Sequence, residues 1–163
     1  MEAVHVTHTF LPVVDEASQI LILGSFPSVQ SRKNQFYYGH PQNRFWKVLS
    51  AVYEDKLPDT IEEKQTFLHQ NHVAVWDVIA SCEIVGSSDS SISQVVANDM
   101  DVILRQADIR TIYLNGAKAY DLFQKYCAAP NLPPAVKLPS TSPANAAWRL
   151  ERLIEDWKII KMC

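Results

Sequence analysis

A chain of 163 residues is the size of one domain and can bury about two thirds of its unfolded surface without disulfides or metals. Its 47% hydrophobic and 20% charged residues are ordinary for a globular protein, and no apolar run approaches the roughly 20 residues needed to span a membrane. A formal net charge of −3 argues against a protein that grips nucleic acid mainly through a basic surface, although backbone N–H groups and hydroxyls at helix N-termini can bind phosphate without adding charge.

The N-terminus Met1-Glu2-Ala3-Val4-His5 lacks the basic and apolar regions of a signal peptide, so a cytoplasmic protein is expected. Ile20 to Gly24 reads as a central parallel strand, apolar on both faces and stopped abruptly by Gly24 and Pro27. A helix from about Asn43 to Tyr53 follows, with Phe45, Trp46, Val48, Leu49, Val52 and Tyr53 on one face. A second opens near Pro58-Asp59-Thr60, where Thr60 and Glu63 have the spacing of a capping box, and continues to about His69. Val73 to Val78 is the next strand, and a third helix follows Asn98 and Asp99. Thr111 to Asn115 is a strand, Ala117 to Cys127 a helix, and Pro130, Pro133 and Pro134 stiffen the loop before the strand Ala135 to Leu138. The last helix is placed from Ser142-Pro143, an N-cap followed by proline, with Ala147, Leu150, Ile154 and Trp157 turned inward.

This β-α-β-α-β-α-β-α order, with no internal repeat or linker, implies a three-layer α/β/α domain over residues 1–163, built on a mostly parallel four-stranded sheet. Cys82, Cys127 and Cys163 are odd in number and far apart, which fits reduced structural thiols rather than a disulfide framework or a metal or iron–sulfur site. No cofactor or metal is expected.

In a parallel sheet the carboxyl ends of the strands share one edge, where open α/β sheets bind ligands. The residues that converge there are Gly24 to Ser28 and Tyr37 to Asn43, then Asp77 with the Ser87 to Ser91 region, then Asn115-Gly116, then Ser140 to Asn145. This is a cleft with a carboxylate, amides, hydroxyls and an aromatic wall, suited to binding a flat polar ring and hydrolysing something attached to it. On spacing alone, Asn43 is a helix N-cap, Asp77 and Asn115 are turn residues, Tyr38 is core, and Ser140 to Ser142 is a capping loop; each has a functional reading beside it.

Gly24-Ser25-Phe26-Pro27-Ser28, His40-Pro41-Gln42-Asn43-Arg44-Phe45-Trp46 and Leu138-Pro139-Ser140-Thr141-Ser142-Pro143-Ala144-Asn145 together resemble the uracil-DNA glycosylase superfamily. Within it the likeness is strongest to the hypoxanthine-DNA (DNA-deoxyinosine) glycosylases, and it runs from about Thr9 to Trp157. The resemblance implies that fold, a DNA partner carrying a deaminated base, base flipping, and hydrolysis of the N-glycosidic bond by a monofunctional enzyme, working as a monomer away from membranes. It makes Asn43 the catalytic amide, Tyr38 the ring that stacks on the flipped base, and Asp77 the reader of its Watson–Crick edge, with Ser25, Phe26, His40 and Asn115 as further substrate contacts. His40 is expected mainly to order its loop. Ser28 stands where uracil-restricted relatives carry a bulky tyrosine, leaving room for a purine, and Ser140, Thr141, Ser142 and Asn145 are the expected DNA contacts.

Two positions depart from the superfamily pattern. Phe26 replaces the first-loop Asp or Asn that holds the attacking water, and Leu138 replaces the histidine that usually opens the second motif. Both departures suit a branch with a shifted substrate. No lysine stands within the motif loops except Lys33, in the stretch between them, so a Schiff-base lyase step is not expected. A uracil or mismatch-specific glycosylase, and a nucleic-acid-binding module without chemistry, remain the alternatives.

Overall fold

The computed structural model describes residues 2–161; Cys163, grouped above with the structural thiols, lies outside them. In chain order the strands are β1 (Val4–Thr7), β2 (Ile20–Gly24), β3 (Val73–Asp77), β4 (Ile79–Ile84), β5 (Ser93–Ala97), β6 (Thr111–Asn115) and β7 (Ala135–Leu138). The helices are α1 (Val29–Asn34), α2 (Phe45–Val52), α3 (Ile61–Gln70), α4 (Asp101–Leu104), α5 (Ala117–Tyr126) and α6 (Leu150–Trp157). No helix among the described residues is long and apolar enough to cross a membrane.

The central sheet has four strands in the order β3-β2-β6-β7, all parallel. Every residue of β2 and β3 is buried, as continuous apolar runs require when layers cover both faces. Register places Gly24 beside Asp77 and Asn115 beside Leu138, so the polar strand ends meet along one edge.

The expectation of four strands is incomplete. A second, antiparallel sheet in the order β1-β4-β5 accompanies the first, and the strand placed over Val73 to Val78 ends at Asp77 before the chain enters β4. β1 and β5 are short and largely exposed, so they carry none of the apolar runs by which the central strands announce themselves. Helix α1 also escaped the sequence reading, because six residues reading Val-Gln-Ser-Arg-Lys-Asn have no apolar stripe; Ser28 caps it by accepting from Ser31 N at 3.1 Å.

The capping box at Thr60 and Glu63 forms as expected. Helix α2 presents Phe45, Trp46, Val48, Leu49 and Val52 to the core, but it starts at Phe45, leaving Asn43 outside. α4 is only Asp101–Leu104, with Asp99 accepting from Asp101 N.

The last helix begins at Leu150 rather than at Ser142-Pro143, and Ala147 is exposed in the loop before it. Its buried residues are Leu153 and Trp157, with Leu150 and Ile154 partly buried beside them. The reason lies with Arg44, whose guanidinium donates to the carbonyls of Trp148, Ser142 (2.9 Å) and Asn145 (3.1 Å). Carbonyls aimed at a guanidinium are drawn away from the i+4 N–H groups of a helix, and local turns complete the loop, with Ser142 Oγ accepting from Ala144 N. Trp157 then locks α6 in place, its Nε1 donating to Pro139 O at 2.9 Å and its indole meeting Phe45 edge-on at 6.0 Å.

Cys82 is buried and Cys127 half-buried, both unbridged, and burial pushes the Cys127 thiol up to about 11.

Candidate active site

The carboxyl ends of β2, β3, β6 and β7 open into a cavity of about 300 Å³. Of the residues singled out from sequence, Ser25, Phe26, Ser28, Tyr38, His40, Asn43, Asp77, Asn115, Ser140, Thr141 and Ser142 all line it. Asn145 does not: its amide donates to Ser140 O at 3.0 Å, and its own carbonyl is held by Arg44, which makes it an internal brace of the loop.

Asn43 sits where the loop after α1 turns into α2. Its Oδ1 accepts from Phe45 N at 2.9 Å and from the Thr141 hydroxyl at 2.8 Å. Because a backbone N–H can only donate, the amide oxygen must face Phe45, and Nδ2 is left without a protein partner among the described residues. Asn115 is oriented by the same logic, since its Oδ1 accepts from Thr141 N and its Nδ2 donates to Thr141 Oγ1, each at 3.0 Å. Asn43 forms a local turn just ahead of α2, whose N-cap is Arg44 rather than Asn43, and Asn115 bonds across to Thr141 rather than within its own turn; together they form a directed chain from Asn115 through Thr141 to Asn43.

Tyr38 adopts φ 54°, a left-handed conformation uncommon for a bulky residue. Its ring stacks on Phe45 with centroids 3.9 Å apart and planes 16° from parallel, so one face is covered. Its hydroxyl is buried without a well-formed hydrogen bond. Burial and the Asp77 charge both push its pKa up, opposed in part by the nearby Asn115 amide. His40 orders its loop as expected, with Nδ1 accepting from Gln42 N at 3.1 Å and its carbonyl accepting from Asn43 N at 2.9 Å.

Asp77 does not cap the turn that follows it. Its Oδ2 meets His8 Nε2 at 2.9 Å, and Asn98 instead ties down its backbone carbonyl. Gly24 has to be glycine here for a steric reason: a Cβ would stand 2.5 Å from Asp77 Oδ1 and 3.1 Å from the Tyr38 hydroxyl. Phe26 is 9% exposed, with the His8 ring at 6.2 Å and the Arg32 guanidinium over its face at 5.6 Å.

Two residues beyond the sequence-derived set join the site. Asp89, in the single helical turn Asp89–Ser91 between β4 and β5, lines the cavity and accepts from the Ser25 hydroxyl at 2.9 Å. Its turn is exposed, but the environment of the carboxyl raises its pKa, desolvation leading and Ser25 opposing. The Ser87 to Ser91 run was its only sequence signal. His8 had none, because it follows a short exposed strand far from every motif.

The chain is similar to known proteins over most of its length. The chain is 35% identical over 153 residues to a hypoxanthine DNA glycosylase of Methanosarcina acetivorans, covering 93% of this chain and 95% of that protein. It is 33% identical over 112 residues to a hypoxanthine DNA glycosylase of Methanosarcina barkeri, covering 68% and 71% respectively. A solution NMR structure from Methanosarcina acetivorans, assigned to the uracil DNA glycosylases, superposes with a TM-score of 0.73 at 31% identity, over 93% of this chain and 96% of that one. The model of the uracil DNA glycosylase superfamily matches residues 11–161, and the chain belongs to that superfamily.

Proposed function

We propose that this protein is a monofunctional DNA glycosylase that removes hypoxanthine from deoxyinosine in DNA. The observation that carries the reading is the cavity's pairing of an aromatic platform, Tyr38, with a carboxylate, Asp77, and an oriented amide, Asn43. A flipped base stacks on the face of Tyr38 turned away from Phe45. Asp77 accepts from the N1–H of hypoxanthine, a donor that adenine lacks, while the small Ser28 leaves space for a purine.

In the reaction water adds to C1′ as the C1′–N9 bond breaks. The bonding pair departs with the base, which takes up a proton, and an abasic sugar remains. Asn43 stabilises the departing charge through Nδ2, because both lone pairs of its Oδ1 are already committed to Phe45 and Thr141. It therefore acts as a donor to the substrate rather than as the acceptor that holds the water. Phe26 offers nothing to that water either, and with Asp77 engaged by the base, Asp89 is the remaining carboxylate lining the cavity and takes the role of accepting from it. Ser140 and Ser142, on the loop that Arg44 pins, face the DNA backbone.

The test is incubation of purified protein with a deoxyinosine duplex in EDTA. Free hypoxanthine and an alkali-labile abasic site are expected. Loss of activity in chelator, or strand cleavage without alkali, counts against this mechanism, and a uracil rate equal to or above the hypoxanthine rate favours the uracil or mismatch alternative.

A further inference from the structure

We propose that His8 is a specificity-determining positioning residue, which holds the Asp77 carboxylate so that the site accepts bases with a ring N–H on the Watson–Crick edge and rejects adenine. This rests on the reading of Asp77 given above.

The pair is buried, with side-chain exposures of 3% for His8 and 5% for Asp77, and the His8 Nε2 to Asp77 Oδ2 distance is 2.9 Å. Carboxylate oxygens only accept, so Nε2 carries the proton and donates. The imidazole has little freedom to turn. Phe10, Tyr37 and Phe26 surround it at centroid distances of 4.5, 5.9 and 6.2 Å, and its backbone N–H is anchored on Ala80 O at 2.7 Å.

With Oδ2 fixed in this way, Oδ1 has no hydrogen bond within the described protein. It lies beside Gly24, in the wall of the cavity. A carboxylate oxygen held there rewards a base that brings an N–H and repels one that brings a lone pair. Hypoxanthine and guanine present N1–H, whereas adenine presents the N1 lone pair. Freed from His8, Asp77 can rotate and take other partners, such as the unsatisfied Tyr38 hydroxyl, and the discrimination weakens. His8 and the strand β1 that leads into it lie before residue 11, where the superfamily match begins, so this side chain comes from outside the matched region.

The experiment compares single-turnover release of hypoxanthine and adenine from otherwise identical duplexes by the full chain and its His8→Ala, His8→Phe and His8→Gln variants, with thermal melting of each. His8→Phe fills the aromatic niche without a donor, and His8→Gln restores a donor. His8→Ala and His8→Phe are expected to slow hypoxanthine release about tenfold or more and to lower the hypoxanthine-to-adenine ratio by a similar factor, whereas His8→Gln stays within about threefold of wild type. A general structural role would lower melting temperature without moving the ratio. If His8→Ala folds poorly, His8→Phe decides: wild-type rate and ratio in that variant overturn the proposal. A wild type that releases no hypoxanthine overturns the reading of Asp77 itself, and this inference with it.

Discussion

The hydroxyl of Thr141 donates to Oδ1 of Asn43 at 2.8 Å, joining residues 98 positions apart. Thr141 is fully buried and is gripped from its other side by Asn115. The bond therefore connects the ends of β6 and β7 to the start of α2, and it fixes which end of the Asn43 amide faces the cavity. Preorganisation of that kind is what a transition-state hydrogen bond requires.

Asn43→Ala is expected to lower single-turnover hypoxanthine release by about a hundredfold or more while changing DNA binding little. Were Asn43 only a local turn residue, the variant would lose roughly 1 kcal/mol of folding stability with near-normal chemistry. Thr141→Val keeps the Asn43 amide but removes its second constraint and strands Asn115 Nδ2. It should cost about 1–3 kcal/mol in denaturant unfolding, with a rate loss smaller than that of Asn43→Ala. Equal losses in the two variants would mean that Thr141 contributes directly to the chemistry.

Tyr38 separates stacking from hydrogen bonding. Its hydroxyl is buried without a well-formed partner, so Tyr38→Phe should leave stability unchanged or raise it by up to about 1 kcal/mol. Hypoxanthine release should stay near wild type, because the ring face remains. Tyr38→Ala removes that face along with the stack on Phe45 and should slow release about tenfold or more. A large loss in Tyr38→Phe would assign the hydroxyl a role in catalysis.

Asp89 gives the pH profile its sign. Only the ionised carboxylate can take a proton from the attacking water, and desolvation holds its pKa above the ordinary aspartate value, so protonation sets in at a higher pH than for a solvated aspartate. Hypoxanthine release is therefore expected to fall as pH drops through that raised value, and Asp89→Asn should be slow across the range without that acid limb. The same limb in Asp89→Asn would assign it to another group.

Wild-type uracil release should be weak, because Phe26 offers no hydrogen bond to a nucleophile. Phe26→Asn is expected to raise it by restoring an amide beneath the sugar. The ring is packed between His8 and Arg32, so the substitution should also cost about 3 kcal/mol or more, and a melting curve must accompany the assay. Robust uracil release by the wild type would contradict the substrate assignment.

The central sheet was legible in the sequence because β2 and β3 are apolar on both faces and bounded by turn residues; burial of that kind leaves a run in the chain itself. Nearly every site residue singled out from the sequence lines the cavity for a related reason, since parallel strands bring their carboxyl ends to one edge whatever fills the loops. Local signals of fixed spacing, such as the Thr60 and Glu63 box, were equally readable. Tertiary structure alone decided the rest. The start of α6 was moved by Arg44, about a hundred residues earlier, because a guanidinium took carbonyls that local sequence would have given to a helix. The roles of Asn43 and Asn115 became distinct only once Thr141 lay between them. His8 met Asp77 because an exposed antiparallel strand, nearly invisible in composition, delivers a side chain to the end of a buried parallel one, and no spacing rule along one chain encodes a contact between separate sheets.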